Sequence, residues 1–210
     1  MQKLKAFTLA EILITMGIVG VIAALTVPDL VSDYQNKAMA VKARKSFNEI
    51  EEALDLMLTD EGKNTLRTSS LYTRDDGVAY FATHYLKTIS SANGFSTDKY
   101  YPLAERKAEE AKGDKPAISA TKPENFSCDG STYVLADSTA ICLKTFTTGL
   151  RIDLDTNGKE PPNTGGRDMF SFIINNNATI IKGQPENCHY QPFGGGCIAR
   201  LMENNWKMDY

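Results

Sequence analysis

The sequence predicts an α+β fold, in which a long N-terminal helix packs on a small C-terminal antiparallel sheet. Residues 7–58 are apolar at first and then repeat their apolar positions about every 3.6 residues, as a helix does. Beyond residue 130, short runs rich in β-branched residues are separated by Asp, Asn and Gly turns. All four cysteines lie in the second half of the chain, which indicates disulfides and an oxidising compartment.

The apolar segment at residues 7–27 is long enough to cross a membrane, since about 20 helical residues span a bilayer core. Lys3 and Lys5 precede it and are expected to stay cytoplasmic. The apolar core of a secretory signal is only about 7–15 residues long, which argues against that interpretation. Glu11 argues against a plain anchor, because a carboxylate inside a membrane segment is costly unless it snorkels to the surface or has a functional partner.

The residues around Glu11 resemble a known signal. Phe-Thr-Leu-Ala-Glu at 7–11, between a short basic leader at 1–6 and a long apolar run, resembles the N-terminal signal of type IV pilins and type II secretion pseudopilins. The resemblance implies that a prepilin peptidase cuts between Ala6 and Phe7 and methylates the new amine of Phe7. It also gives Glu11 a partner, the Phe7 amine of a neighbouring subunit in a filament. The family usually has Gly before the cut, so Ala6 is expected to slow cleavage.

The resemblance implies a pilin-like fold and the role of a structural subunit. Such a subunit is held in the bacterial inner membrane, with its leader in the cytoplasm and its head outside, and then enters a filament. The implied partners are other pilin or pseudopilin subunits, the prepilin peptidase, the inner-membrane assembly platform and the lipid bilayer. Type IV pili, type II secretion and DNA-uptake machines share this leader, so the machine stays open. The alternative is a membrane-anchored or filament-tip binding module that captures an extracellular ligand.

Four segments follow from these patterns: the leader at 1–6, a membrane and assembly helix at 7–29, an amphipathic helix at 30–60 and a globular α+β head at 61–210. Pro28 is expected to kink the helix, because it removes a backbone donor. The head should contain a second helix at 78–90, capped by Asp75 or Asp76, and a mobile polar loop near 104–125. The predicted strands are 132–136, 140–146, 150–154, 170–174 and 179–181, and a last helical turn follows at 197–203.

The four cysteines allow three disulfide connectivities. We favour the two pairs that are local in sequence, Cys128–Cys142 and Cys188–Cys197. A zinc site is the weaker interpretation, because the sequence has no C-x₂-C pair.

Residues 153–168 contain a candidate cation site. Asp153, Asp155 and Asn157 stand at every second position and are followed by Gly158, as at the opening of an EF-hand loop. The twelfth position is Thr164 rather than Glu and no pair of helices flanks the segment, so it is not an EF-hand. The candidate ligands are oxygen atoms of Asp153, Asp155, Asn157, Lys159 and Asp168. The resemblance favours calcium, because major pseudopilins bind it in a C-terminal loop; a metal-free turn held by Asx hydrogen bonds is the alternative.

Composition and motifs argue against several functions. The net charge is −3 and no basic stripe is visible, so nothing favours contact with nucleic acid. The sequence contains no G-x-S-x-G, P-loop or H-E-x-x-H motif, and we predict that the protein is not an enzyme. Calcium is the one cofactor that the sequence suggests.

Overall fold

A computed structural model describes residues 8–86, 88, 130–158, 165–181, 183–189 and 196–208. The chain forms two units, residues 1–38 and residues 39–210, which are described separately. The longest element is helix α1, Leu9–Asp60, which includes Pro28 and ends before Gly62, where φ is +60°. The long helix and the α+β class are therefore as predicted, while the kink at Pro28 stays a prediction.

In the first unit, the described part of α1 exposes its apolar side chains. Leu9, Met16 and Leu25 are each more than 70% exposed. An 18-residue window of α1 has a mean hydropathy of 2.2, and none of it is buried inside the protein. On length and composition alone, α1 is the one helix of the described chain that could cross a membrane.

The second unit contains short helices, a sheet and a final helix. Beyond α1, the helical elements are a 3₁₀ turn at Leu66–Thr68, α2 at Ser70–Thr73, α3 at Gly77–Tyr80, a π-helical turn at Phe81–Tyr85, a 3₁₀ turn at Pro185–His189 and α4 at Cys197–Glu203. The strands are β1 at Ser131–Val134, β2 at Ala140–Phe146, β3 at Gly149–Asp155, β4 at Met169–Asn175 and β5 at Ile180–Ile181. They form one antiparallel sheet in sequence order, which is a meander.

The strict alternation of strand residues gives the sheet two different faces. On the inner face, Leu143, Ile152 and Phe172 are paired across β2, β3 and β4 and are almost fully buried. The buried side chains of α1 recur at three- and four-residue spacing from Ala40 to Leu58, so one stripe of the helix joins the same core. Between these layers, the ring of Phe47 on α1 lies 5.2 Å from that of Phe172.

Polar contacts also hold α1 to the turn between β1 and β2. Lys45 Nζ lies 3.0 Å from Asp137 Oδ2, and the buried hydroxyls of Ser46 and Thr139 are 3.4 Å apart. These contacts therefore fix the part of α1 in the second unit to the hairpin of β1 and β2.

The predicted strands match the observed ones to within two residues, and the final helix is as predicted. The short elements between residues 66 and 73 were not predicted. The predicted second helix does begin near residue 78, and Asp76 occupies the predicted cap position of α3. Its side chain makes no capping hydrogen bond, because its carboxylate pairs with Arg74 at 2.8 Å. The predicted loop at 104–125 and the leader lie outside the described residues.

Candidate functional site

The N-terminus of α1 is closed by a reciprocal pair of contacts between Thr8 and Glu11. The backbone N–H of Thr8 donates to Glu11 Oε2 at 2.8 Å, and the Thr8 hydroxyl donates to the same oxygen at 2.9 Å. In return, the backbone N–H of Glu11 lies 3.2 Å from Thr8 Oγ1. This arrangement is a capping box, in which an N-cap Thr and the Glu three residues later satisfy two free helix donors.

The capping box gives Glu11 a local role that sequence reasoning missed, although Thr-x-x-Glu is its recognisable signature. In the described chain, both hydrogen bonds accepted by this carboxylate come from Thr8, at the start of its own helix. Ala6 and Phe7 lie outside the described residues. Cleavage, methylation and the contact between Glu11 and a neighbouring Phe7 amine therefore stay predictions.

The second candidate site is the predicted cation loop, and the structure separates its acidic residues. Asp153, on the outer face of β3, is 3% exposed. Its Oδ1 accepts a hydrogen bond from the Ser171 hydroxyl at 2.6 Å, and its Oδ2 lies 3.0 Å from Arg151 Nε. Both carboxylate oxygens are thus already occupied by contacts within the sheet.

Asp155, at the end of β3, is in a different environment. It is fully buried, as is Asp168, whose carboxylate is close enough to act on its charge. Asp155 Oδ1 is 3.3 Å from the backbone N–H of Asn157, whereas its buried Oδ2 has no hydrogen-bond partner among the described residues. The hydroxyl of Thr156 is also buried without a partner in the described chain.

The environment of Asp155 opposes its ionisation. Burial, and after it the neighbouring Asp168 carboxylate, raises the pKa of Asp155 to about 8, against the opposing effect of the backbone N–H groups of Asn157 and Gly158. Near neutral pH, the folded protein therefore favours a protonated carboxyl at this position.

The carboxylates of Asp155 and Asp168 could supply some, but not all, of the oxygen ligands of a hard cation. A buried carboxylate oxygen without a partner costs free energy, and a cation between Asp155 and Asp168 would remove both that cost and the repulsion between the two acids. Calcium takes about 6–8 oxygen ligands, so further oxygens would have to come from backbone carbonyls or water. Across the residues that the structure describes, no three Asp, Glu, His or Cys side chains cluster as a metal site. Lys159 lies outside them.

The cysteines follow the predicted local pairing as far as the structure describes them. Cys188 and Cys197 form a disulfide across a separation of nine residues. Cys197 begins α4, and Gly196 before it has a φ of +82°, a left-handed conformation that glycine adopts without strain. Cys142 is also disulfide-bonded, and Cys128, its predicted partner, lies outside the described residues.

The fold and these sites define a class of protein: an α+β head on a helix with an exposed apolar segment of membrane-spanning length. Comparison with protein-family models, curated proteins and solved structures found no match to this chain.

Proposed function

We propose that the protein is a structural subunit of a pilus-like or type II secretion filament, which polymerises through the first half of α1. The observation that carries the proposal is the Phe-Thr-Leu-Ala-Glu sequence at 7–11, of which Thr8 to Glu11 lie at the start of a helix whose apolar side chains are exposed. An exposed apolar surface of this size needs lipid or other helices around it. A subunit that moves from membrane to filament uses both environments in turn.

Glu11 is the residue on which the proposal depends. In the free subunit, its carboxylate accepts hydrogen bonds from Thr8. In a filament, the amine freed on Phe7 of a neighbour would compete for the same carboxylate, because a charged donor forms a stronger hydrogen bond than a neutral one. The capping box would then hold the acid at the helix start until a neighbour arrives.

Glu11→Gln separates the cap from the charge. Glutamine also serves at this position of a capping box, so the helix start is preserved while the negative charge is lost. In the bacterium that makes the protein, we expect the Glu11→Gln variant to be inserted and cleaved normally. It should be absent from the filaments that are sheared from the cells. Thr8→Ser is the matched control, because serine keeps the capping hydroxyl, and it should assemble. If Glu11→Gln enters filaments as the natural chain does, assembly through this charge is wrong.

We also propose that the loop of residues 153–168 binds calcium through Asp155 and Asp168, in support of the folded head. The unpartnered Oδ2 of buried Asp155 favours this proposal over a metal-free turn. Bound calcium would balance the negative charges of the two carboxylates. Since a cation competes with the proton on Asp155, calcium should bind more tightly as the pH rises towards 8.

A calcium titration of the full chain in detergent tests the cation site by thermal melting. We expect a higher melting temperature with millimolar calcium at pH 8, because a ligand at about 100 times its Kd adds roughly 2.7 kcal/mol. Magnesium and the Asp155→Asn chain are the two controls, and neither should show the shift. An unchanged melting temperature of the natural chain in calcium would leave the loop as a metal-free turn.

A further inference from the structure

The outward face of α1 in the second unit carries sorted charges. This face, which we call the charge stripe, lies outside the buried side of the helix and consists of Arg44, Lys45, Glu51, Glu52 and Asp55, all exposed. The basic residues come first and the acidic residues second. Arg44 and Glu51 are seven residues apart, as are Lys45 and Glu52, so each pair lies on nearly the same line of the helix.

Apart from Lys45, the stripe is not neutralised within its own helix. Oppositely charged side chains stabilise a helix when they are three or four residues apart, but the position four residues after Arg44 is Asn48. Glu51 has the like-charged Asp55 four residues later, which is unfavourable. Of the charge stripe, only Lys45 has ion pairs within the described chain, with Glu49 at 3.5 Å and Asp137 at 3.0 Å.

The geometry points to a second copy of this chain as the partner of the charge stripe, an inference that rests on the proposed filament. Subunits inserted in one membrane run parallel, so copies at equal height would place like charges opposite each other. An axial offset of seven residues, about 10 Å at 1.5 Å per residue, instead places Arg44 of one copy opposite Glu51 of the next. The same offset places Lys45 opposite Glu52. We propose that this charge register sets the height at which neighbouring subunits meet.

Charge reversal in the full chain tests the contact. Two differently tagged copies are produced together, extracted in mild detergent and captured on one tag, and the yield of the other is measured. Arg44→Glu in both copies should lower that yield about tenfold, as should Glu51→Lys, because like charges then face each other. Arg44→Glu leaves Lys45 in its contact with Asp137, so the head should still fold.

The double variant Arg44→Glu/Glu51→Lys is the decisive sample. It restores opposite charges at the contact between two variant copies, so they should capture each other again. In a mixed pair of one variant and one natural copy, position 44 of one copy and position 51 of the other carry like charges whichever copy is higher, so the two should be captured together less well than two natural copies. A purely structural role of either residue would not produce this pattern. As controls, Arg67→Glu and Glu203→Lys make the same charge changes at exposed positions away from α1 and should leave capture unchanged.

Cysteine cross-linking measures the offset directly. No cysteine is free in the described chain, so a new thiol has no unpaired native partner there. Copies with Arg44→Cys should cross-link to copies with Glu51→Cys more than to one another. If two Arg44→Cys copies cross-link to each other as well as an Arg44→Cys copy does to a Glu51→Cys copy, the proposed offset is wrong.

The outcomes also separate this inference from the proposed function. If Glu11→Gln abolishes capture while Arg44→Glu and Glu51→Lys do not lower it, the charge register is wrong and the filament proposal stands. If the reversals act as expected but Glu11→Gln still forms filaments, the helix contact stands and assembly through Glu11 is wrong. A double variant that fails to restore capture overturns the charge register.

Discussion

Replacing Asp155 by Asn removes the charge but keeps the shape of a carboxyl that the fold buries completely. The side-chain oxygen of the introduced amide can still accept a hydrogen bond from the backbone N–H of Asn157. The natural carboxyl has a pKa of 3.8 in the unfolded chain and about 8 in the folded protein. The folded state therefore holds a proton that the unfolded state has released, over the range between these two values.

The sign of the pH effect follows from this difference. Below about pH 4 the carboxyl is protonated in both states and contributes no pH dependence. As the pH rises towards 8, the folded protein must either keep the proton or bury a charge, so its stability falls. At about 1.4 kcal/mol for each pH unit, the loss from this group reaches roughly 5 kcal/mol by pH 8. The asparagine side chain of the Asp155→Asn variant does not titrate, so the variant should not lose this part of the free energy of unfolding as the pH rises.

The assay is urea unfolding of the full chain in detergent, with EDTA present to remove divalent cations. The single tryptophan, Trp206, reports on the core, because its ring lies 5.6 Å from that of Phe47. The unfolding free energies are extrapolated to zero urea at pH 5 and pH 8. We expect the variant to gain several kcal/mol on the natural chain between these pH values. A difference between the two chains that is the same at both pH values would refute burial of an uncompensated carboxyl at this position.

Three further predictions concern the core, the disulfide and the leader. Phe47→Ala should lower the free energy of unfolding by about 3–5 kcal/mol, since the ring packs on Phe172; a loss below about 1 kcal/mol, measured by circular dichroism, would contradict this packing. Replacing both Cys188 and Cys197 by serine should lower the free energy of unfolding by roughly 3 kcal/mol in the same measurement, because the open loop gains entropy in the unfolded chain. Unchanged stability would contradict a stabilising role of this disulfide. Ala6→Gly should speed cleavage of the leader on gels, and equal rates would show that Ala6 is fully accepted.

Some of the fold could be predicted because its signals are local. The 3.6-residue repeat identified α1, and alternating β-rich runs identified the strands of the meander to within two residues. The disulfide between Cys188 and Cys197 could be favoured because nearby cysteines meet often. The capping box is equally local, since Thr8 and Glu11 are three residues apart, but it was not among the predictions.

The cation loop depended on contacts that spacing does not reveal. Asp153, Asp155 and Asn157 alternate in sequence, which suggested that their oxygens converge. In the structure, Asp153 is opposite Ser171 in the register of β3 and β4 and bonds to it. Asp155 instead lies near Asp168, thirteen residues later. The strand register therefore decides that Asp153 has partners for both carboxylate oxygens, whereas Asp155 is buried with one oxygen unpaired.

The sequence by itself determined the long helix, the five strands, the final helix and the apolar segment of membrane-spanning length, because each depends on the spacing of neighbouring residues. Only the tertiary structure decided that Asp155 is buried with one oxygen unpaired, and that the side chains of the charge stripe of α1 stay exposed. Burial depends on which distant elements cover a side chain. Water is removed from a carboxylate by the whole fold and not by its neighbours in sequence.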